Sequence, residues 1–306
     1  MNLTEEQTII HNHVVFNNTK DNDLTMVSAV AGSGKTTLLV AIADTLDRLI
    51  PDLSGLYLAY NKSVAVEARR KFPDSVKCCT THSLAYGPIV TKLNLKLGVF
   101  NYKNIVEPIP YEDKIYLLNI IKEFCLSGYL TFSEFCESND ISDATCRLGE
   151  LYLTKMHEGS IECSHEFYLK LFHILLASKE IVYDFFDIIM LDEAGDLNEV
   201  TLEIFKLLPA KRKIMVGDPY QNIYTFNHTI NCFNIMKDYG TSLNMTQSFR
   251  VATDIASNIE HFCNTYLDKT MRFVGTELAD STIKTRAYIT RTNAGLIGKI
   301  IDLNKC

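Results

Sequence analysis

Ala31-Gly32-Ser33-Gly34-Lys35-Thr36-Thr37 follows an apolar run at residues 24–30 and precedes an apolar helical pattern at 38–49. A glycine-rich turn between a strand and a helix spells a phosphate-binding loop. Glycines let backbone N–H groups close around phosphate oxygens, Lys35 brings a positive charge to the β- and γ-phosphates, and the Thr36 hydroxyl can ligate Mg²⁺. Ala31, Gly32, Ser33, Gly34, Lys35, Thr36 and Thr37 are therefore the candidate nucleotide-binding residues. The eight-residue pattern should begin with glycine and begins here with Ala29. The small residues after it still permit a tight turn, and the helix N-terminus still favours an anion.

Working outward, short β-type runs occur at 24–30, 56–60, 76–80, 187–191 and 213–216, with helix-like segments after the first, second and fourth. This alternation predicts an α/β fold with a largely parallel sheet, whose loops at the carboxyl ends of the strands form the ligand crevice. Between 88 and 179 the pattern changes to long amphipathic segments, such as 111–125 and 167–177, which predict a mostly helical insertion. After Tyr239 a new set begins, with a helix at 251–266, a strand at 284–290 and a terminal helix. It reads as the start of a further α/β unit.

The chain has 306 residues, 47% of them hydrophobic, enough for a real core divided into two or three units. No stretch approaches the roughly 20 apolar residues that span a bilayer. The N-terminus lacks the basic and apolar regions of a secretory signal, so an intracellular protein is expected. Nine cysteines, scattered apart from Cys78-Cys79, suit free thiols in a reducing compartment. Cys163, His157 and His165 have no second cysteine pair at zinc-ligand spacing. A net charge of −7 argues against gripping nucleic acid by bulk charge but leaves room for a local groove. Arg69-Arg70-Lys71 and Lys211-Arg212-Lys213 are candidates for one, or else solvated faces.

The apolar residues Ile188-Ile189-Met190-Leu191 run straight into Asp192-Glu193-Ala194-Gly195-Asp196. At a strand's end Asp192 can hold Mg²⁺, while Glu193 is placed to take a proton from the water attacking the γ-phosphate. A third strand, 213–216, ends in Gly217-Asp218-Pro219-Tyr220-Gln221-Asn222-Ile223-Tyr224-Thr225-Phe226.

The order of these three blocks resembles superfamily 1 DNA helicases of the UvrD/Rep type. The F-box DNA helicases are most similar, through Met245-Thr246-Gln247-Ser248-Phe249-Arg250, Thr80-Thr81-His82-Ser83-Leu84-Ala85-Tyr86, Phe167-Tyr168-Leu169-Lys170-Leu171 and Arg291-Thr292-Asn293-Ala294. The resemblance implies a RecA-like P-loop NTPase unit from 1–87 and 180–238, a helical insertion at 88–179, and an incomplete second RecA-like unit at 239–306. It implies ATP and Mg²⁺ as cofactors, with single-stranded DNA or single/double-strand junctions as partner, and translocation or unwinding in the 3′ to 5′ direction. Gln7 would read the adenine edge, although Thr4-x-x-Gln7 is equally a capping box for the following helix. Gln221 would sense the γ-phosphate, Phe249 would stack on adenine, and Arg250 would act as an arginine finger. Tyr60, Tyr224 and Phe226 would stack on bases, with Asn61, Thr81 and His82 near phosphates.

Two departures stand out. Gly195 replaces the glutamine usual in the Asp-Glu-Ala-Gln-Asp block, and Asn227-His228 replaces Arg-Gly after Phe226. Two further blocks of the family do not follow Arg291-Thr292-Asn293 before Cys306, and no F-box-like segment precedes residue 1. The expectation is the ATP-binding part of a helicase, with the other half either supplied by a separate polypeptide or missing from this open reading frame. Its alternative is a truncated remnant that binds ATP and single strands but hydrolyses poorly.

Overall fold

A computed structural model describes residues 3–17, 20–220, 231–266, 271–277, 290 and 292–303. The first half opens with α1 (Glu5–Asn12) and continues as β1 (Asp23–Ala29), α2 (Lys35–Leu49), β2 (Gly55–Ala59), α3 (Lys62–Ala68), β3 (Val76–Thr80) and α4 (Thr81–Tyr86). Four helices then run without an intervening strand: α5 (Tyr111–Leu126), α6 (Phe132–Ser138), α7 (Asp143–His157) and α8 (His165–Ala177). The chain returns through β4 (Phe186–Leu191), α9 (Glu199–Leu207), β5 (Ala210–Gly217), α10 (Cys232–Met236) and β6 (Thr241–Met245). It ends with β7 (Gln247–Ala252), α11 (Thr253–Tyr266), β8 (Val274–Thr276) and α12 (Asn293–Leu303).

Six strands form one parallel sheet in the order β3-β2-β4-β5-β1-β6, and β7 pairs with β8 in a second, two-stranded sheet. With its helices on both faces, the six-stranded sheet is an α/β P-loop NTPase fold. The near-continuous apolar spelling of the inner strands follows from burial on both faces. Leu24, Met26, Leu56, Leu58, Ile189, Leu191 and Met215 face a cluster shared with α5 to α9. Alternate residues Val27, Tyr57, Ile188, Met190, Ile214 and Val216 face a second cluster with α1, α2 and α3. The helical segment after residue 88 therefore extends the core of one sheet face. Within it, Lys170 is buried and donates to Ser127 O at 2.9 Å and to Tyr129 O, stapling the turn after α5.

Several sequence expectations need correction. Residues 241–245 fall in the segment expected to open the second unit, yet β6 hydrogen-bonds along β1 from Thr25 to Ala29. Its spelling, Thr-Ser-Leu-Asn-Met, alternates as an edge strand should and lacks the apolar run that marks the inner strands. The helix predicted from 251 begins at Thr253, because Val251 and Ala252 belong to β7. The run Lys211-Arg212-Lys213 lies on β5 and provides no basic groove. Arg212 Nε donates to Val14 O at 3.1 Å, and the buried Lys213 Nζ to Lys206 O at 2.7 Å. In the other cluster Arg69 Nε donates to Cys78 O at 3.0 Å and Lys71 pairs with Glu67 at 2.6 Å. The strand expected at 284–290 lies outside the described residues except for Thr290.

The described cysteines are free thiols, as expected, and most are buried. No group of metal ligands of the zinc type occurs among the described residues, and none of their helices is long and apolar enough to cross a membrane. Burial pushes the Cys78 thiol up to about 11 and those of Cys125 and Cys232 up to about 12. Burial likewise raises the Tyr168 and Tyr183 hydroxyls to about 12. In the unfolded chain thiols titrate near ~8.5 and tyrosines near ~10, so there the unfolded state loses protons first. Stability is thus fully present below about pH 8.5 and is lost as pH rises towards 12. Lys170 and Lys213, lowered by burial to about 8, oppose this between pH 8 and ~10.4 but are fewer. Denaturation midpoints measured from pH 8 to 11 are expected to fall; a rise across that interval would contradict the burial of these groups.

Candidate functional site: a nucleotide cradle beside an aromatic groove

The phosphate loop leaves β1 and enters α2 with Gly32 at φ 76° and Gly34 at φ 82°, a left-handed conformation that glycine adopts without steric cost. Gly34 is the N-cap of α2 and supplies no side-chain cap, so the first N–H groups of a 15-residue helix face the loop. Neighbours press on this loop from two sides. A Cβ on Gly32 would lie 2.5 Å from Arg250 Cβ and one on Gly34 would lie 2.9 Å from Gln7 Nε2. Gly32 is thus required by packing as well as by φ, and Gly34 by φ.

Across the loop, Lys35 Nζ meets Glu193 Oε2 at 3.2 Å and Thr36 Oγ1 donates to Asp192 Oδ2 at 3.4 Å. Four residues that the sequence separates by more than 150 positions share one site. Glu193 sits at φ 53° directly after β4, a backbone setting that costs a non-glycine residue roughly 1–2 kcal/mol. Such an outlier on a candidate general base is the kind of local strain that clusters at functional sites. Asp192 is buried; this burial, with the nearby Glu193 charge, holds its carboxyl above the usual range, against the opposing Tyr57 hydrogen bond and Lys35. A divalent cation would supply the compensating charge. The residues present fit Mg²⁺ and a polyphosphate: paired oxygens on Thr36 and Asp192, and a buried Ser33 hydroxyl with no partner among the described residues.

Tyr57 was hidden in an apolar run. Its hydroxyl donates to Asp192 Oδ2 at 2.7 Å from the adjacent strand, fixing the carboxylate's orientation. Ser248, in the same block as Phe249 and Arg250, donates its Oγ hydrogen to Ala31 O at 2.7 Å. Phe249 N donates to Gly32 O at 2.9 Å, so β7 lies directly on the phosphate loop and brings Arg250 beside it. Phe249 remains 49% exposed, open to a stacking partner. Both readings of Gln7 meet here. Its Oε1 accepts from Thr4 N at 3.0 Å, closing the capping box, while Nε2 donates to Ser33 O at 3.0 Å. Gln221, Tyr224 and Phe226 lie outside the described residues.

One strand away, the ends of β2 and β3 open into a groove. Tyr60, Asn61, Lys62, Thr80, His82 and Tyr86 line it from the sheet side, and His165 and Tyr168 of α8 from the other. The His82 ring meets Tyr168 edge-on at 5.7 Å and His165 at 6.4 Å, and Tyr86 meets Tyr168 at 6.4 Å. Tyr60 and Tyr86 are 49% and 47% exposed, leaving faces on which a flat ring can lie. Burial, then the adjacent His165, lowers the His82 imidazole below its ordinary range, with Glu166 opposing. Asn61 Oδ1 accepts from Val64 N at 2.9 Å and so caps α3. Thr81 is 5% exposed and lines a smaller adjoining cavity with Asp192 and His82.

The Gly195 departure also has a structural reading. A side chain at Gly195 would collide with the Asp218 carbonyl, and a Cβ on Gly217 would lie 2.7 Å from Gly195 N. The two acidic loops interlock through these glycines.

A protein-family model described as "AAA domain" matches residues 12–227, most of the chain. The chain belongs to this AAA domain family. The matched span of the AAA domain begins within α1 and includes the phosphate loop, the Asp192-Glu193 block and the groove residues. The AAA domain is helicase-like in sequence. Over 304 residues the chain is 29% identical to F-box DNA helicase 1 of Gallus gallus, covering 88% of this chain and 29% of that protein. Over 289 residues it is 26% identical to F-box DNA helicase protein 1 of Schizosaccharomyces pombe, covering 83% of this chain and 32% of that one. The chain thus spans about a third of the length of these curated relatives. A crystal structure of Bacteroides sp. Pif1 in complex with ADP-AlF4 matches at 16% identity and TM-score 0.38, covering 87% of this chain and 47% of that chain.

Proposed function

We propose that this chain is the ATP-binding part of a UvrD-like DNA helicase, coupling ATP hydrolysis to 3′ to 5′ translocation on single-stranded DNA. The observation that carries this reading is the convergence of Lys35, Thr36, Asp192 and Glu193 within one strand of the aromatic groove. A nucleotide switch needs the cradle alone; a strand-driven motor needs both, side by side. In this reading Lys35 and the loop amides bind the β- and γ-phosphates, and Thr36 with Asp192 holds Mg²⁺, which neutralises charge between the phosphates. Glu193 takes the proton of the attacking water, Arg250 stabilises charge on the transferred phosphoryl group, and Phe249 packs on the adenine. Gln221 relays the state of the γ-phosphate, while Tyr224 and Phe226 join the strand track.

Tyr60 and His82 hold bases from the sheet side of the groove, and Tyr86, His165 and Tyr168 extend the platform. The similarity to F-box DNA helicases supports DNA as the partner. Anisotropy of a fluorescent oligothymidylate tests the groove. Stacking on one aromatic is worth about 1–3 kcal/mol, so Tyr60→Ala should weaken binding by roughly 5- to 150-fold. ATP hydrolysis measured with and without the oligonucleotide should rise on strand addition. Undiminished binding by Tyr60→Ala together with His82→Ala would remove the groove from the nucleic-acid path.

A further inference from the structure

The chain passes from the six-stranded sheet to the two-stranded sheet through one residue, Thr246, between Met245 of β6 and Gln247 of β7. Every backbone and side-chain polar group of this threonine is engaged. Its N–H donates to Glu6 Oε2 at 2.8 Å and its hydroxyl to Glu6 Oε1 at 2.6 Å, while its carbonyl accepts from Val274 N at 2.8 Å. Both carboxylate oxygens of a residue 240 positions upstream thus hold the junction. The next residue, Gln7, bonds the phosphate loop through Ser33 O. One helical turn of α1 therefore grips two things at once, the loop and the root of the strand that carries Phe249 and Arg250.

Before the junction, Met245 O accepts from Val30 N at 3.0 Å, which ties β6 to the end of β1; beyond it, Glu6 is the side chain that holds Thr246. Ser248 and Phe249 bond Ala31 O and Gly32 O, but these contacts set β7 against the loop only once its root is placed. We propose that Glu6 is a positioning residue that, by holding Thr246, sets Arg250 against the phosphate loop. The proposal rests on the reading of Arg250 as the γ-phosphate arginine. A misplacement of about 1 Å can cost on the order of 10²-fold in rate, so a carboxylate two steps from the chemistry can matter.

A double-mutant cycle in single-turnover ATP hydrolysis tests this. Glu6→Ala should lower the rate constant by roughly 10²-fold in the parent and have no further effect in an Arg250→Ala background. Thr246→Val, which keeps the shape and removes the hydroxyl, should show a smaller loss with the same dependence on Arg250. Glu6→Gln should stay near the parent, since its amide can accept from the Thr246 N–H and donate to the hydroxyl. Because the chain contains no tryptophan, Phe249→Trp supplies a single reporter in the nucleotide-free protein. Acrylamide quenching of that indole should increase when Glu6→Ala is added. Equal losses with and without Arg250, or no loss in Glu6→Ala, overturn the proposal. If Arg250→Ala alone leaves hydrolysis unchanged, the arginine reading itself falls, a result the single variant separates from failure of Glu6.

Discussion

Glu193→Gln is expected to stop ATP turnover while leaving ATP bound. Glutamine has the shape of glutamate but cannot accept a proton from the attacking water, and loss of a positioned general base typically costs 10²–10⁴-fold, the range expected here. Binding should survive, because the Lys35 ammonium that meets Glu193 at 3.2 Å loses an intramolecular competitor for the γ-phosphate. Glutamine is no more hindered than glutamate at φ 53°, so the turn after β4 has no reason to rearrange. Titration with a fluorescent ATP analogue should show unchanged or tighter affinity beside the collapsed turnover. Turnover within a few-fold of the parent would assign the proton to another group.

Arg250→Ala should cost still more, about 10³–10⁵ in hydrolysis, the range an arginine finger supplies. The substitution leaves the backbone contacts of β7 intact, since Phe249 N, Ser248 Oγ and the Arg250 amide make the bonds to the loop and to the strand itself. Ground-state nucleotide affinity should change little, because in the proposed role the guanidinium acts on charge that develops in the transition state. Arg250→Lys should recover only a small part, as an ammonium lacks the planar fork that engages phosphoryl oxygens bidentately. Rates compared at saturating ATP check this; a kcat equal to the parent's would place Arg250 outside the reaction.

The inner strands and the cradle were legible because each has a short-range spelling. Apolar runs of five or six residues mark strands buried on two faces, and Gly-x-Gly-Lys-Thr between strand and helix has one physical use. Asp192 and Glu193 were legible for the same reason, standing at the end of such a run. β6 was not, because an edge strand buries one side and its alternating polar residues resemble a turn. Tyr57 was hidden because a tyrosine in an apolar strand reads as core, and its hydroxyl matters only once β4 lies beside β2. Glu6, His165 and Tyr168 act through tertiary neighbours far away in the chain, which no local pattern encodes.

The strand order carries a thermodynamic consequence. β2, which ends in the groove, lies directly beside β4, which ends in Asp192, and the amide of Asp192 donates to Leu58 O at 3.1 Å. Strands in a sheet are spaced about 4.8 Å apart, so occupants of the two sites would be separated by little more than one backbone. On the proposed reading, free-energy linkage between such neighbours is reciprocal: whatever factor a bound single strand would add to ATP affinity, ATP would return to the affinity for the strand. The proposed cycle of gripping and releasing nucleic acid would then need no distant relay, only a change in charge on the far side of one strand.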